Sequence, residues 1–185
     1  VVESRNVREI VLSTLEEQLI PYFITGSDAL TLLGPGRATV DTDVVIRLEP
    51  DGYELRLRPA LEARGAYVAA LLTQPGRAVG QASLGPGWVD LIMPADDAWT
   101  RTCFERRVRL FDPSLGAEVW VISPEDLVIA KLHWDPRRGG RQFEDAVRLI
   151  HALSLDVDLL HAAATLTGTT ESLNEALEAA THATE

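Results

Sequence analysis

The sequence predicts an α/β fold of the α+β kind: a mixed sheet with flanking helices, and a helical region that closes the chain. Three observations lead there. Helical and strand-like apolar spacings alternate over the first part of the chain. Two pairs of short strands are split by tight turns, at Gly85-Pro86-Gly87 and at Asp112-Pro113-Ser114-Leu115-Gly116. From Ser123 onward the patterning is helical throughout.

Each element follows from local chemistry. Val7, Ile10, Val11, Leu15 and Leu19 recur at helical spacing, which predicts an amphipathic helix over 4–19, stopped by Pro21. A short strand follows at 22–25, then a helix over 27–33 that Gly34-Pro35-Gly36 ends. The run 43–48 reads as a buried strand, 52–64 as a helix ended by Gly65, and 67–72 as a strand. Strands at 79–84 and 88–93 form one hairpin. A helix over 97–105 leads to a second hairpin from 107–111 and 118–122. Ser123 is a good N-cap, Pro124 suits the first helical position, and Asp126 completes a capping-box-like pattern. Pro136 ends that helix. Further helices are expected at 141–153, 156–165 and 171–182. The sheet is expected to carry its helices on one face. Residues 1–122 would form the core and 123–185 a helical region packed on it.

The chain of 185 residues carries 17 basic and 28 acidic side chains, a net charge of −11. Such a surface repels nucleic acid unless a local basic patch exists. Arg101, Arg106, Arg107 and Arg109 form one cluster, and Arg137, Arg138 and Arg141 another. They read equally well as solvated faces or as a phosphate-binding rim. No apolar run is long enough to span a bilayer, and the start has no basic-then-apolar export signal, so a cytoplasmic location and no membrane partner are expected. Cys103 is the single cysteine, which excludes an internal disulfide or a cysteine-based zinc site.

The chemistry concentrates between residues 23 and 48. An apolar strand enters the turn Gly26-Ser27, and a later strand begins Asp41-Thr42-Asp43. Carboxylates at i and i+2 of a strand share a face and can hold a hard divalent cation. A Gly-Ser turn at a helix start offers N–H groups and a hydroxyl to an anion. Together they describe a site for Mg²⁺ (or Mn²⁺) and a nucleoside triphosphate. Asp90 is a lone acid in an otherwise apolar strand, where it is costly without a cation or donors. Lys131 is the only lysine and lies among Leu127, Val128, Ile129 and Leu132. Asp145 lies four residues after Arg141, so the two can pair on one helical face. His133 reads as a helix-end histidine. His151, His161 and His182 lack metal-ligand spacing. Trp88, Trp99, Trp120 and Trp134 are core or cleft aromatics, any one of which could stack a base. Gly34-Pro35-Gly36-Arg37-Ala38-Thr39 is no P-loop, for it lacks the lysine.

Gly26-Ser27 followed by Arg37, Thr39, Asp41 and Asp43 resembles the signature of the polymerase β-type nucleotidyltransferase superfamily, and is similar to its AbiEii-like branch of small nucleotidyltransferases. The second match is Ser123-Pro124-Glu125-Asp126-Leu127 through Lys131, then Arg138-Gly139-Gly140-Arg141-Gln142-Phe143-Glu144-Asp145, with Gln142 where that branch usually has Asp. The resemblance spans roughly 20–150. It implies a nucleotidyltransferase-type sheet and transfer of a nucleoside monophosphate from an NTP to a hydroxyl acceptor (tRNA, protein or small molecule). It implies Asp41, Asp43 and Asp90 as metal carboxylates, the last also as base. Gly26, Ser27, Arg37, Arg138 and Arg141 would bind substrate, with Lys131 on the triphosphate and Asp145 orienting it or assisting proton transfer. A toxin-like role with a cognate antitoxin is one version. The alternative is a non-catalytic nucleotide-binding or regulatory module on the same fold, which Gln142 favours.

Overall fold

The computed structural model describes residues 6–34, 36 and 41–182. Arg37 and Thr39 lie outside them. Asn6 caps α1 (Val7–Glu17), its side chain accepting from the Glu9 N–H at 2.8 Å, and the stripe Val7, Ile10, Val11 and Leu15 is buried. β1 (Tyr22–Thr25) runs directly into α2 (Gly26–Leu32), and β2 (Asp41–Ile46) follows. The expected helix over 52–64 is a compound one. It comprises α3 (Pro50–Gly52), a π-helical turn (Tyr53–Leu57) and α4 (Arg58–Glu62). Pro59 has no N–H to donate, and the turn ahead of it is the one that widens.

The strand expected at 67–72 is broken into β3 (Tyr67–Val68) and β4 (Leu72–Gln74). Both pair with β5 (Arg77–Leu84), β3 opposite Ser83 and Ala82 and β4 opposite Val79 to Arg77. A single continuous strand is thus replaced by an interrupted edge, one way a sheet keeps an edge from pairing further. β6 (Gly87–Pro94) completes the first hairpin. Asp97 caps α5 (Ala98–Arg106), and β7 (Val108–Asp112) and β8 (Ala117–Val121) form the second hairpin. The remaining helices are α6 (Pro124–Trp134), α7 (Arg141–Ala152), α8 (Val157–Thr167) and α9 (Thr170–His182).

Among the described residues the sheet order is β3-β5-β6-β2-β1-β8-β7, with β4 also on β5. β2 and β6 are parallel, as are β1 and β8; the other pairs are antiparallel, so the sheet is mixed as expected. Side chains alternate across it. On one face Tyr22, Ile24, Val44, Ile46 and Leu91 are buried. α1 and α2 cover that face: Tyr22 donates to Glu16 of α1, and Thr42 donates to Asp28 of α2. On the other face Phe104 of α5 packs edge-on against Phe23, with ring centroids 4.8 Å apart. Helices therefore flank both faces, not one. The helix period alone cannot assign a face, because the sheet's pairing decides it.

Candidate active site

The second face of the sheet floors a cleft of about 570 Å³, walled by α5, α6 and α8. Phe23, Thr25, Asp43, Val45, Ile92 and Pro94 reach it from alternate positions of β1, β2 and β6. Gly26 and Ser27 line the same cleft. At Gly26 the backbone turns from strand to helix with φ +68°, a left-handed conformation. A Cβ there would collide with Asp43 Oδ2 and crowd its carboxyl carbon. Glycine is thus favoured twice, by the turn and by the close approach of the backbone to the carboxylate as it stands.

Asp43 pairs in register with Thr25 on one side and Asp90 on the other. Strand parity puts Asp41 and Asp43 on one face. In the parallel β2–β6 ladder Asp90 shares that face with Ile92 and Pro94, both of which line the cleft. Burial holds the Asp43 carboxyl above its usual range. The charge of Asp90 adds to that, Lys131 opposes it, and Asp41 and Asp28 raise it further. The three carboxylates are not drawn into a ready-made cage: among the described residues no group of three metal-ligating side chains stands close enough to hold an ion. Asp90 Oδ1 instead accepts from Gln81 Nε2 at 2.8 Å. The donor set nevertheless fits a hard divalent cation, being all oxygen, all on one face, and penalised for its charge at Asp43.

The cleft's helical wall carries Lys131. Ser123 caps α6, its hydroxyl accepting from the Asp126 N–H at 3.1 Å, and Lys131 lies two turns on. Its Nζ lies 3.1 Å from Asp145 Oδ2 of α7, with both side chains nearly fully buried. Lys131 lines the cleft and Asp145 stands behind it. The expected Arg141–Asp145 pair does not form. Asp145 faces Lys131, and its second oxygen has Arg148 at 3.6 Å. Arg141 is the first residue of α7 and is exposed, although it shares the helical face of Asp145. Arg138 and Arg141 are both exposed and away from the cleft lining, so the structure does not bring these two predicted substrate-binding residues to the site. Gln142 does line the cleft.

The first arginine cluster is largely engaged by protein partners, and the second is exposed. Arg106 clasps Asp126 with two nitrogens, Arg107 stacks 4.4 Å over the Trp120 ring, and Arg109 pairs with Glu16. Arg101 pairs with Asp96, and Arg137 with Asp135. None of them lines the cleft. Cys103 is buried, and burial first, then the nearby Asp126 charge, pushes its thiol well above the ordinary range.

Sequence reasoning missed one group and, for a second, named the aromatics without their assembly. Arg8 of α1 bridges Asp28 at 3.1 Å and Asp112 at 2.7 Å, and Asp28 accepts from Thr42, the residue between Asp41 and Asp43. The signal was an Asp directly after Gly26-Ser27. The second group lies at the outer end of the cleft, where the Arg77 guanidinium sits 4.8 Å over the Trp134 ring and Trp99 leans on His133 at 5.7 Å. They come from three separate elements, β5, α5 and α6, so no local sequence signal joins them.

No protein-family model matches the sequence, and no curated protein is similar to it. Solved structures are. The solution structure of the antibiotic-resistance factor ANT(2'')-Ia is similar over 95% of this chain and 95% of its own, at 15% identity and TM-score 0.55. The crystal structure of ANT(2'')-Ia in complex with adenylyl-2''-tobramycin matches over 91% and 97%, at 16% identity and TM-score 0.53. A Thermotoga maritima protein described as a nucleotidyltransferase matches over 69% and 82%, at 15% identity and TM-score 0.51. At these identities the likeness is one of fold. The chain has the mixed-sheet fold of these nucleotidyltransferases. Among the described residues no helix is long and apolar enough to cross a membrane.

Proposed function

We propose that this protein is a Mg²⁺-dependent nucleotidyltransferase, moving a nucleoside monophosphate from an NTP to a hydroxyl acceptor with release of pyrophosphate. One observation carries the reading. Gly26 turns at positive φ against the Asp43 carboxylate, where any Cβ would be strained and would displace that carboxylate, with Asp41 and Asp90 on the same sheet face and Lys131 lining the same cleft as Gly26 and Asp43. Asp41 and Asp43, with Asp90, would hold the ion. When bound, it would neutralise triphosphate charge and supply Lewis-acid activation. Gly26 and Ser27 would seat the phosphates. Lys131, steadied by Asp145, would add a cation to the pyrophosphate leaving group. Gln81 holds one oxygen of Asp90, which would leave the other to take the proton of the acceptor hydroxyl. Asp145 acts through Lys131 and is a positioning residue.

A small molecule is the first acceptor class to test, since the ANT(2'')-Ia complex contains adenylyl-2''-tobramycin; tRNA and protein follow. The AbiEii-like motif around Lys131 adds a toxin-like role with an antitoxin partner as a finer reading. A second reading, a nucleotide-binding module without catalysis, is favoured by Gln142 in the cleft wall. Calorimetry with a non-hydrolysable NTP, in Mg²⁺ and in EDTA, tests binding, and pyrophosphate release tests transfer. Tight Mg²⁺-dependent binding that Asp41→Ala removes, together with pyrophosphate release, is expected. Equal binding in EDTA would contradict the metal site, and binding without pyrophosphate release for any acceptor class would favour the module.

A further inference from the structure

Strand β2 is held unevenly along its length. From Asp43 onward it has β1 on one side and β6 on the other. β1 ends at Thr25, opposite Asp43, so among the described residues Asp41 and Thr42 have ladder partners only in β6, at Trp88 and Val89. On the open side the chain has already turned into α2. There the Thr42 hydroxyl donates to Asp28 Oδ2 of α2 at 3.0 Å. Successive residues of a strand face opposite ways, so Thr42 points to the helix-covered face while Asp41 and Asp43 point to the other.

Asp28 is itself held. Arg8 Nη2 of α1 lies 3.1 Å from its carboxylate and 2.7 Å from that of Asp112, and Arg8 Nη1 donates to Ser114 at 3.0 Å. Asp112 is buried and accepts from the Ser114 N–H at 2.9 Å and from its hydroxyl at 2.7 Å. Two acids and one cation thus share a nearly dry space behind the sheet. A buried ion pair is a weak source of net stability, because desolvation offsets the attraction. What this cluster supplies is a fixed acceptor for one hydroxyl.

We propose that Asp28 is a positioning residue for the metal: locked by Arg8, it fixes Thr42 from behind and so sets where Asp41 stands beside Asp43. The inference rests on the nucleotidyltransferase reading and adds a residue to it. Asp28 does not line the cleft and acts through Thr42. The Gly26 backbone meets Asp43 on the cleft face, and Asp28 meets Thr42 on the opposite face. The first turn of α2 therefore grips consecutive residues of β2 from both sides.

The test is calorimetry with a non-hydrolysable NTP over a series of Mg²⁺ concentrations, on wild type, Thr42→Val, Thr42→Ser and Val89→Ala. Valine has nearly the shape of threonine and suits a strand, so Thr42→Val should fold. It should raise the Mg²⁺ concentration for half-maximal binding about tenfold, a usual cost of losing a group that orients a metal ligand. Thr42→Ser keeps the hydroxyl and should match wild type. Val89→Ala removes buried packing at the same register and should lower the melting temperature without moving the Mg²⁺ midpoint. A Thr42→Val midpoint equal to that of wild type, or a Val89→Ala midpoint that moves as far, would overturn the role of Asp28 while leaving the transferase reading intact. No binding by wild type, or equal binding in EDTA, would overturn both.

Discussion

Two buried ion pairs anchor the ends of α6, and they differ in one respect that matters. Arg106 and Asp126 meet at its start, Lys131 and Asp145 toward its end. Asp126 is fully buried and saturated: Arg106 clasps it with two nitrogens, one at 3.0 Å, and Ser123 donates to it at 2.8 Å. Lys131 has three donors and one carboxylate at 3.1 Å, and the cleft lies on its open side. A closed pair can only hold the fold. An open one keeps a charge available to a ligand while its partner fixes where that charge stands.

The comparison breaks first at the carboxylates that Lys131 faces. Asp43→Asn should cut nucleotidyl transfer by on the order of a thousandfold or more, measured as pyrophosphate release, with the melting temperature unchanged or raised because a buried charge is removed. Arg106→Ala should do the reverse. It leaves Asp126 buried and unpaired, at about 3–5 kcal/mol in chemical denaturation, while the folded fraction still binds NTP. Lys131→Met should weaken NTP binding about ten- to a hundredfold by calorimetry. Adding Asp145→Leu to it should recover stability without recovering affinity, since an apolar pair replaces an ionic one without loss but holds no phosphate. Recovered affinity in that double variant would mean that Lys131 merely packs the helices. The smallest effect concerns Cys103 beside the sealed pair. Its thiol should react slowly with a maleimide in the wild type, because burial and the Asp126 charge disfavour the thiolate, and more slowly still in natively folded Arg106→Ala, which loses the one nearby charge that opposes them.

Much of this contrast was legible before any coordinates. The Ser123-Pro124-x-Asp126 cap and the lone Lys131 in an apolar run located both ends of α6. Asp41 and Asp43 announced themselves by period-two spacing beside Gly26-Ser27. What stayed hidden was pairing across elements. Arg141 sits at the right spacing to meet Asp145, yet α7 turns Asp145 toward Lys131, and only helix packing decides that. The arginine clusters read equally well as solvated faces or a phosphate rim, because spacing says nothing of Glu16, Trp120 or Asp126, the partners of the first cluster. The Arg8–Asp28–Thr42 link spans three elements and lay beyond any local pattern. Asp90 stood out in the sequence as a lone acid in an apolar strand, but its pairing with Asp43 and its hold on Gln81 depend on the β2–β6 and β5–β6 registers.

The Gly26 turn ties the two halves of the cleft together and offers an intermediate test. Gly26→Ala adds a Cβ against Asp43 at positive φ. The left-handed backbone alone costs about 1–2 kcal/mol, and NTP binding should be lost beyond what that destabilisation explains.

The central claim is that one cleft joins the carboxylate face to Lys131 around a triphosphate. A crystal structure with Mg²⁺ and a non-hydrolysable NTP tests it most directly. The account predicts phosphates against Gly26 and Ser27, the ion between Asp41 and Asp43, and Lys131 Nζ in hydrogen-bond contact with a phosphate oxygen while still held by Asp145. Phosphates bound elsewhere, with Lys131 on Asp145 alone, would contradict it.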